Sequence, residues 1–177
     1  VCDIKKEKAK YLGDRFKIPY FYNYHQMLKK LNKEIQLVAI ITPSGMHYEH
    51  SKDIITNYKK NIVVEKPTFM RPSQVKEIYK IAKKNGVKIF PIFQNRYNLA
   101  VKRTKKAIEK NEIGKINIIN VRVRWCRPQR YYDLSDWRGT YSHDGGALTN
   151  QGIHHVDLLR YLIGEVNEVY CKMATFG

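Results

Sequence analysis

Four polar residues near the C-terminal end of the chain have side chains that could carry out acid–base chemistry. Asn150, His154, His155 and Asp157 stand in a stretch that otherwise has the apolar spacing of a helix. Residues four apart lie on one helical face, so Asn150 and His154 point the same way, with Asp157 close to that face. Adjacent histidines point about 100° apart. We therefore predict that His155 serves packing or a subunit contact, and we predict no metal site.

A second candidate group follows an apolar run at residues 64–67, "VEKP". In an open α/β sheet, ligands bind beyond the carboxyl ends of the strands. A lysine at such an end, here Lys66, could stabilise a developing alkoxide or transfer a proton. Two further stretches that are rich in polar side chains also follow apolar runs, and they are "TPSGMH" and "FQNR". Their convergence predicts a ligand site at one edge of a sheet.

The elements that would position Lys66 alternate between helix and strand over residues 1–92. Helices are predicted at "DIKKEKAKYLGDRF", within "PYFYNYHQMLKKLN", across "HYEHSKDIITNY" and from Pro72 to Asn85. Strands are predicted at "IQLVAIITP", "NIVVEKP" and "VKIFPIF", the first of them buried on both faces. This alternation indicates an α/β fold with an open parallel sheet.

A different pattern follows in residues 93–177. It predicts a helix that ends at Gly114, a long strand at "KINIINVRVRWCRP" with one buried face, and an irregular linker rich in aromatic residues. The helix that carries Asn150 and His154 comes next, and "EVNEVYCKMATFG" is predicted to begin another strand. This second region is therefore predicted to be α+β and to be cut off at its C-terminal end.

The composition restricts the function classes. The formal net charge of +17 favours anionic partners, and nucleic acid is the first class of partner to consider. The lysines recur singly or in pairs at helical spacing, however, which is typical of a solvated basic surface, and a small anionic ligand fits the charge equally well. The three cysteines are scattered, and no apolar run approaches the about 20 residues of a membrane span. We predict a cytoplasmic protein with reduced thiols.

The stretches "VEKP" and "NQGIHHVD" together resemble the Gfo/Idh/MocA oxidoreductase family. The resemblance implies a partial dinucleotide-binding domain of the Rossmann type over residues 1–92. It also implies a partial α+β substrate or oligomerisation domain with an open, largely antiparallel sheet over residues 93–177. Within the family, "TPSGMHYEH", "QNRYN", "WRGTY" and "DGGALTNQGIHHVDLL" are similar to bacterial UDP-N-acetyl-2-amino-2-deoxyglucuronate 3-dehydrogenases.

That similarity implies NAD-dependent oxidation of the C3 hydroxyl of a UDP-linked N-acetylglucosaminuronic acid to the 3-keto sugar, on the way to surface polysaccharide. It also implies a homo-oligomer, a dimer or a tetramer. The alternatives are a family dehydrogenase that acts on a free sugar or a cyclitol, and a non-catalytic basic α/β module that binds nucleic acid.

The resemblance also assigns roles to individual residues. Lys66 and His154 flank the reacting hydroxyl, either of them could be the base, and Asn150 orients the hydroxyl. Further substrate contacts are implied for Arg96 and Asn98. The implied cofactor-binding residues are Asp3, Thr42, Pro43, Ser44, His47, Glu65, Gln94, Trp137 and Arg138.

Two features of the sequence depart from the family pattern. Many members have aspartate where this chain has Asn150, so position 150 provides no carboxylate base. The Gly-rich G-x-G-x-x-G turn does not occur in these 177 residues. We therefore expect the first strand, that turn and the first helix to belong to a longer chain of which this is a piece, and the piece alone to bind NAD poorly.

Overall fold

The structure is a computed structural model that describes residues 1–174. The chain divides into two compact units, Val1–Pro91 and Ile92–Gly177. Within the described residues, no helix is both long enough and apolar enough to cross a bilayer.

The first unit is a three-stranded parallel sheet with helices between its strands. Its strands are β1 (Leu37–Ile40), β2 (Asn61–Val64) and β3 (Ile89–Pro91), paired in that order. Its helices are α1 (Lys6–Phe16), α2 (Tyr24–Lys30), α3 (His47–Asp53) and α4 (Pro72–Asn85), and a π-helical turn, Ile54–Tyr58, extends α3. The Rossmann-type parallel sheet predicted from the sequence is confirmed.

Local sequence signals set the ends of these helices. Asn23 begins α2 by accepting hydrogen bonds from the backbone N–H groups of His25 and Gln26 at 2.8 and 3.2 Å. Proline occupies the first position of α4, where no intrahelical N–H bond is lost. Gly86 ends α4 with a φ of 67°, a left-handed conformation that glycine adopts without strain. The predicted bounds of α4 are confirmed.

The apolar core of this unit lies on one face of the sheet. Val38, Ile40, Ile62 and Val64 are buried there, and α2, α4 and the π-helical turn cover them with Leu28, Ile54, Ile55, Ile78 and Ala82. Full burial of such an aliphatic side chain contributes about 1.5–3 kcal/mol. The prediction that β1 is buried on both faces is wrong, because Leu37 on its other face is 50% exposed. The helices that cover the sheet bury only the face that carries Val38 and Ile40.

The Asn61 side chain forms hydrogen bonds to the backbone just before β1 and just before β3. Its side-chain oxygen accepts a hydrogen bond from Lys88 N at 2.8 Å, and its amide nitrogen donates to Gln36 O at 3.3 Å. Lys88 precedes β3 and Gln36 precedes β1. One side chain on β2 thus holds the backbone at the start of both neighbouring strands.

The described part of the second unit is helical. It contains α5 (Leu99–Glu109), α6 (Gln129–Asp133) and α7 (Ile153–Ile163), with a 3₁₀ turn at Gln94–Tyr97 and a π-helical turn at Leu148–Gly152. The prediction that the first of these helices runs to Gly114 is wrong, because Asn111 turns into the left-handed region with a φ of 56°. The linker predicted to be irregular contains the short helix α6.

The two strands predicted for this unit are not formed among the residues that the structure describes. Residues 115–128 and 164–174 are in neither helix nor strand, and Ile118 is 80% exposed. Alternation of apolar and polar residues gives a segment one apolar face, but a strand exists only through hydrogen bonds to a partner. No described segment of this unit provides that partner. The end of the second predicted strand, residues 175–177, lies outside the described residues.

Candidate functional site

Lys66 lies directly after β2, at the carboxyl edge of the parallel sheet. Glu65 N donates to Ile40 O at 3.1 Å and so continues the pairing of β2 with β1. The backbone N–H of Lys66 donates to the carboxylate of Glu65 at 2.5 Å. The Lys66–Pro67 peptide bond is cis, and Pro67 is buried while Lys66 is half-buried. The backbone around Lys66 is therefore closely held.

His47 joins the loops that follow β1 and β2. It lies at the start of α3 and is 1% exposed. Its Nδ1 lies 2.9 Å from Pro67 O and its Nε2 lies 2.9 Å from Thr42 O. The sequence suggested that His47 lines a cofactor cleft, but both ring nitrogens face backbone carbonyls. Of its predicted neighbours in that cleft, Thr42 is exposed, Pro43 is half-buried and Ser44 is buried.

A polar cluster on α2 and α3 lies beside this loop. His50 Nδ1 lies 3.1 Å from Thr42 Oγ1, and the ring of His50 packs edge-on against Tyr24. Tyr24 donates to the Asp53 carboxylate at 2.9 Å. Burial lowers the pKa of His50, and a positive charge on His47 would lower it further. Burial, helped by the hydrogen bond to Asp53, raises the pKa of Tyr24 above its usual range.

Asp3 lies at the end of a short extended segment at the start of the chain. Its backbone N–H donates to Phe21 O at 3.2 Å, and Cys2 and Phe21 pair as a parallel bridge. One carboxylate oxygen accepts from Lys5 N at 2.8 Å, just before α1 begins. The Asp3 carboxylate thus follows a short extended segment that pairs in parallel with Phe21.

In the second unit, Asn150, His154 and Asp157 are all buried, with 5, 7 and 8% of each residue exposed. His155 is only half-buried, and its ring lies 6.0 Å from that of Trp125 in an edge-on contact. Asn150 lies in the π-helical turn that leads into α7, and the other residues lie in α7 itself. The face that the sequence spacing indicated is thus the buried one, and His155 lies off it.

Asp144 is a buried residue that sequence reasoning missed. One of its carboxylate oxygens accepts a hydrogen bond from the side chain of Asn150, and the other accepts from Gly139 N at 2.7 Å. Gln151 donates to the Asn150 side-chain oxygen at 3.0 Å. Asn150 is therefore held from both ends of its amide. The available signal was "HDGG", since a carboxylate before two glycines with positive φ marks a tight turn.

Arg96 and Asp157 form a bidentate ion pair. Arg96 Nε and Nη2 donate to the two oxygens of Asp157 at 2.8 and 2.5 Å. The guanidinium also lies 5.4 Å from the ring of Phe93 and 5.0 Å from that of Tyr161. The hydrogen bond to Asp157 raises the pKa of Arg96. The pair connects the 3₁₀ turn to α7 and occupies one edge of a guanidinium that the sequence assigned to the substrate.

The remaining predicted residues of this unit have local roles. Asn98 begins α5 by accepting from Ala100 N at 3.0 Å, and Gln94 is exposed in the 3₁₀ turn. Arg138 lies 4.6 Å from the ring of Tyr131 and 4.9 Å from that of Trp137. The Arg138 guanidinium thus packs against Trp137 and against Tyr131 of α6.

Arg127 extends this packing into an arginine–aromatic stack. Its guanidinium lies 4.8 Å from both the Trp125 and the Tyr131 rings. Tyr131 also accepts a hydrogen bond from Gln151 at 3.1 Å. The stack therefore reaches from Trp125 through α6 to the residue beside Asn150. Within the described residues, no group of three or more His, Cys, Asp or Glu could hold a metal ion.

Two family models match the chain. One, described as an oxidoreductase family with an NAD-binding Rossmann fold, covers residues 1–93. The other, described as the GFO/IDH/MocA C-terminal domain, covers residues 101–177.

Solved structures and curated relatives agree with these matches. The WlbA dehydrogenase from Bordetella pertussis, in complex with NADH and UDP-GlcNAcA, is 35% identical with a TM-score of 0.91, over 99% of this chain and 50% of that one. WlbA from Chromobacterium violaceum, with the same ligands, is 36% identical with a TM-score of 0.85, over 93% and 47%. The myo-inositol 2-dehydrogenase of Thermotoga maritima is 26% identical over 96% of this chain and 48% of its own. The chain spans about half the length of the relatives it matches.

Proposed function

This chain belongs to the GFO/IDH/MocA oxidoreductase family, and on that premise we propose that the protein oxidises the C3 hydroxyl of UDP-linked N-acetylglucosaminuronic acid with NAD. The observation that carries this proposal is the similarity to WlbA, which holds NADH and UDP-GlcNAcA, at 35% identity across 99% of the chain. The net charge of +17 also favours an anionic nucleotide sugar. The product is the 3-keto sugar, a precursor for surface-polysaccharide sugars.

The cofactor side of the proposal rests on the carboxyl edge of the sheet. Asp3 has a carboxylate at the end of its extended segment, which suits ribose hydroxyls and disfavours a 2′-phosphate. Glu65 contacts the nicotinamide ribose. The other residues proposed to line the cofactor are Thr42, Pro43, Ser44, Gln94, Trp137 and Arg138. A nicotinamide dinucleotide held by these residues would supply a hydride acceptor.

On the substrate side, we assign roles to Lys66, Asn150 and His154. Either His154 or Lys66 removes the hydroxyl proton while the hydride leaves C3 and the carbonyl bond forms. His154 is the easier base, since histidine ordinarily titrates near neutral pH, and Lys66 as a cation then stabilises the developing alkoxide. Asn150 orients the hydroxyl, and its amide is already fixed by Asp144 and Gln151.

Recognition of the sugar acid is assigned to Arg96 and Asn98. Asp157 engages Nε and Nη2 of Arg96, so the opposite edge of the guanidinium is the one that would meet a carboxylate or phosphate. Asn98 would bind through its amide nitrogen, because its oxygen caps α5.

An assay of NADH formation tests the proposal, with the protein as its complete gene encodes it. We expect turnover with UDP-GlcNAcA and NAD, and much less with UDP-N-acetylglucosamine or with NADP. Lys66→Ala and His154→Ala should each lower turnover about a hundredfold or more, the scale of a lost acid–base group, with NAD binding retained. His155→Ala is the matched control and should cost much less. Equal turnover of the uronic acid and its neutral counterpart would contradict the substrate assignment.

A second candidate is a dehydrogenase of a free sugar or a cyclitol. It is favoured by curated relatives such as the myo-inositol 2-dehydrogenase of Thermotoga maritima and the D-glucoside 3-dehydrogenase of Escherichia coli, at 26 and 25% identity. The same assay with myo-inositol and free glucosides separates the two candidates.

Because the chain is basic, binding to nucleic acid is tested separately. Tight binding of duplex DNA at physiological salt, with a steep loss on adding salt, would favour the nucleic-acid alternative. The homo-oligomer and the cytoplasmic location stay predictions.

A further inference from the structure

We propose that His47 is a positioning residue whose ring, protonated on both nitrogens, holds the Pro67 carbonyl and thereby fixes the backbone that carries Lys66. The kinetic part of this inference rests on the function proposed above, because it needs Lys66 to take part in the reaction. The protonation of the ring is inferred from its hydrogen-bond geometry and needs no substrate.

Both ring nitrogens of His47 face groups that can only accept hydrogen bonds. Nδ1 lies 2.9 Å from Pro67 O and Nε2 lies 2.9 Å from Thr42 O. A neutral imidazole carries one N–H, so in either tautomer one bare nitrogen would face a carbonyl oxygen. His47 is 1% exposed, and an unmade hydrogen bond on such a buried polar group costs about 1–3 kcal/mol. Only the ring with a hydrogen on each nitrogen satisfies both carbonyls.

A hydrogen bond to the Pro67 carbonyl restrains the backbone directly after Lys66. Proline has no backbone N–H, so its carbonyl is the one hydrogen-bonding group on that residue. On the other side, the N–H of Lys66 donates to the Glu65 carboxylate at 2.5 Å. The backbone is therefore fixed both before and after the Lys66 side chain, by Glu65 and by His47.

The neighbouring histidine, His50, also contacts Thr42. His50 lies three residues further along α3, and its pKa is lowered by burial and then by His47. Neutral His50 can accept a hydrogen bond from the Thr42 hydroxyl, 3.1 Å from its Nδ1. One charged and one neutral histidine on adjacent turns thus account for both sets of contacts to Thr42.

This role differs from lining the cofactor. With both nitrogens directed at backbone carbonyls, the His47 ring has no polar atom left to offer a ligand. Its removal should therefore disturb the rate of the chemical step, through Lys66, and leave cofactor affinity nearly unchanged.

Two substitutions separate the two hydrogen bonds. The amide nitrogen of asparagine can take the place of Nδ1, which serves Pro67, and that of glutamine the place of Nε2, which serves Thr42. In the protein as its complete gene encodes it, His47→Asn should keep kcat within a few-fold of the parent. His47→Gln should lower kcat about tenfold to a hundredfold, as expected for a displaced catalytic group, with KM for both substrates little changed.

The control is His50→Gln, which removes a histidine from the same helix without touching Pro67. We expect its kcat to stay near that of the parent. Thermal unfolding of all three variants is measured alongside. Equal losses of kcat in His47→Asn and His47→Gln, or losses that follow only the drop in unfolding temperature, would overturn the positioning role.

A spectroscopic measurement tests the ring independently of any substrate. In protein labelled with ¹⁵N-histidine, both ring nitrogens of His47 should show directly bonded hydrogens at neutral pH, in a signal that disappears in His47→Gln. A bare nitrogen on that ring would overturn the inference even in an active enzyme. If UDP-GlcNAcA is not oxidised but the ring is doubly protonated, the proposed function fails, the ring assignment stands, and the kinetic comparison is made with the sugar that the protein does oxidise.

Discussion

The two units of the chain bury different kinds of side chain. In Val1–Pro91 the buried set is mainly aliphatic, and Leu28, Ile55, Ile62 and Ile78 have no exposed surface. In the described part of Ile92–Gly177 every buried residue is polar, and the set consists of Asp144, Asn150, His154 and Asp157. Apolar contacts are non-directional, whereas hydrogen bonds demand geometry. The first unit thus places its polar groups on an apolar core, whereas in the second Asn150 and Asp157 are held by hydrogen bonds to Asp144 and Arg96.

The two units should respond differently to substitution. Loss of a methyl group in the first unit leaves a cavity, and its cost depends on volume. Loss of one polar atom in the second unit leaves a partner unsatisfied, and its cost depends on a single bond. Measurements of the free energy of unfolding on matched variants test this difference.

The largest expected effect is in the core of the first unit. Ile62→Ala should lower the free energy of unfolding by about 2–5 kcal/mol, because it leaves a cavity beside β1 and β3. Urea denaturation followed by circular dichroism measures this. Ile118→Ala is the control, since Ile118 is 80% exposed and should cost no more than about 0.5 kcal/mol. Similar losses of unfolding free energy in Ile62→Ala and Ile118→Ala would contradict the view that an apolar core stabilises the first unit.

An intermediate effect is expected in the second unit. Asp157→Asn should lower the free energy of unfolding by about 1–3 kcal/mol, because it weakens two charge-assisted hydrogen bonds from Arg96. Both tryptophans, Trp125 and Trp137, lie in this unit, so their fluorescence follows its unfolding. Glu165→Gln breaks the exposed pair with Arg160 and should cost less than about 1 kcal/mol. A larger loss of stability in Glu165→Gln than in Asp157→Asn would contradict the proposed importance of the Arg96–Asp157 ion pair.

The smallest expected effect is a pH dependence in the first unit. The pKa of His50 is lowered in the folded chain, so its stabilising neutral form is fully present above the ordinary histidine pKa of about 6.5. As the pH falls below that value, the unfolded chain binds a proton that the folded chain does not, and stability is lost down to the folded pKa. His50→Gln should lose less stability than the parent between neutral and mildly acidic pH. Parallel curves for the two proteins would show that His50 does not contribute.

The parts of the fold that could be predicted are those with local signals. Pro72 and Gly86 mark the ends of α4 within their own sequence. The spacing of Asn150 and His154 placed them on one helical face, and the apolar runs located β1, β2 and β3. Each of these features depends on residues within a few positions of one another.

The parts that could not be predicted depend on distant residues. The segment 115–128 has the alternation of a strand, but pairing needs a second segment that alternation does not identify. Arg96 meets Asp157 across 61 positions, and His47 reaches Pro67 across 20. An arginine or a histidine in isolation suggests a ligand contact, and only the structure shows that a carboxylate or a carbonyl of the same chain occupies it.

Asn61 and His47 also bear on how this sequence can diverge. Asn61 holds the starts of β1 and β3, and His47 holds the loops that follow β1 and β2. Their partners, such as Gln36 and Lys88, contribute only backbone atoms. In evolutionary terms, the constraint on these strand ends is concentrated in two side chains, while the partner positions can change residue type and keep the same bonds.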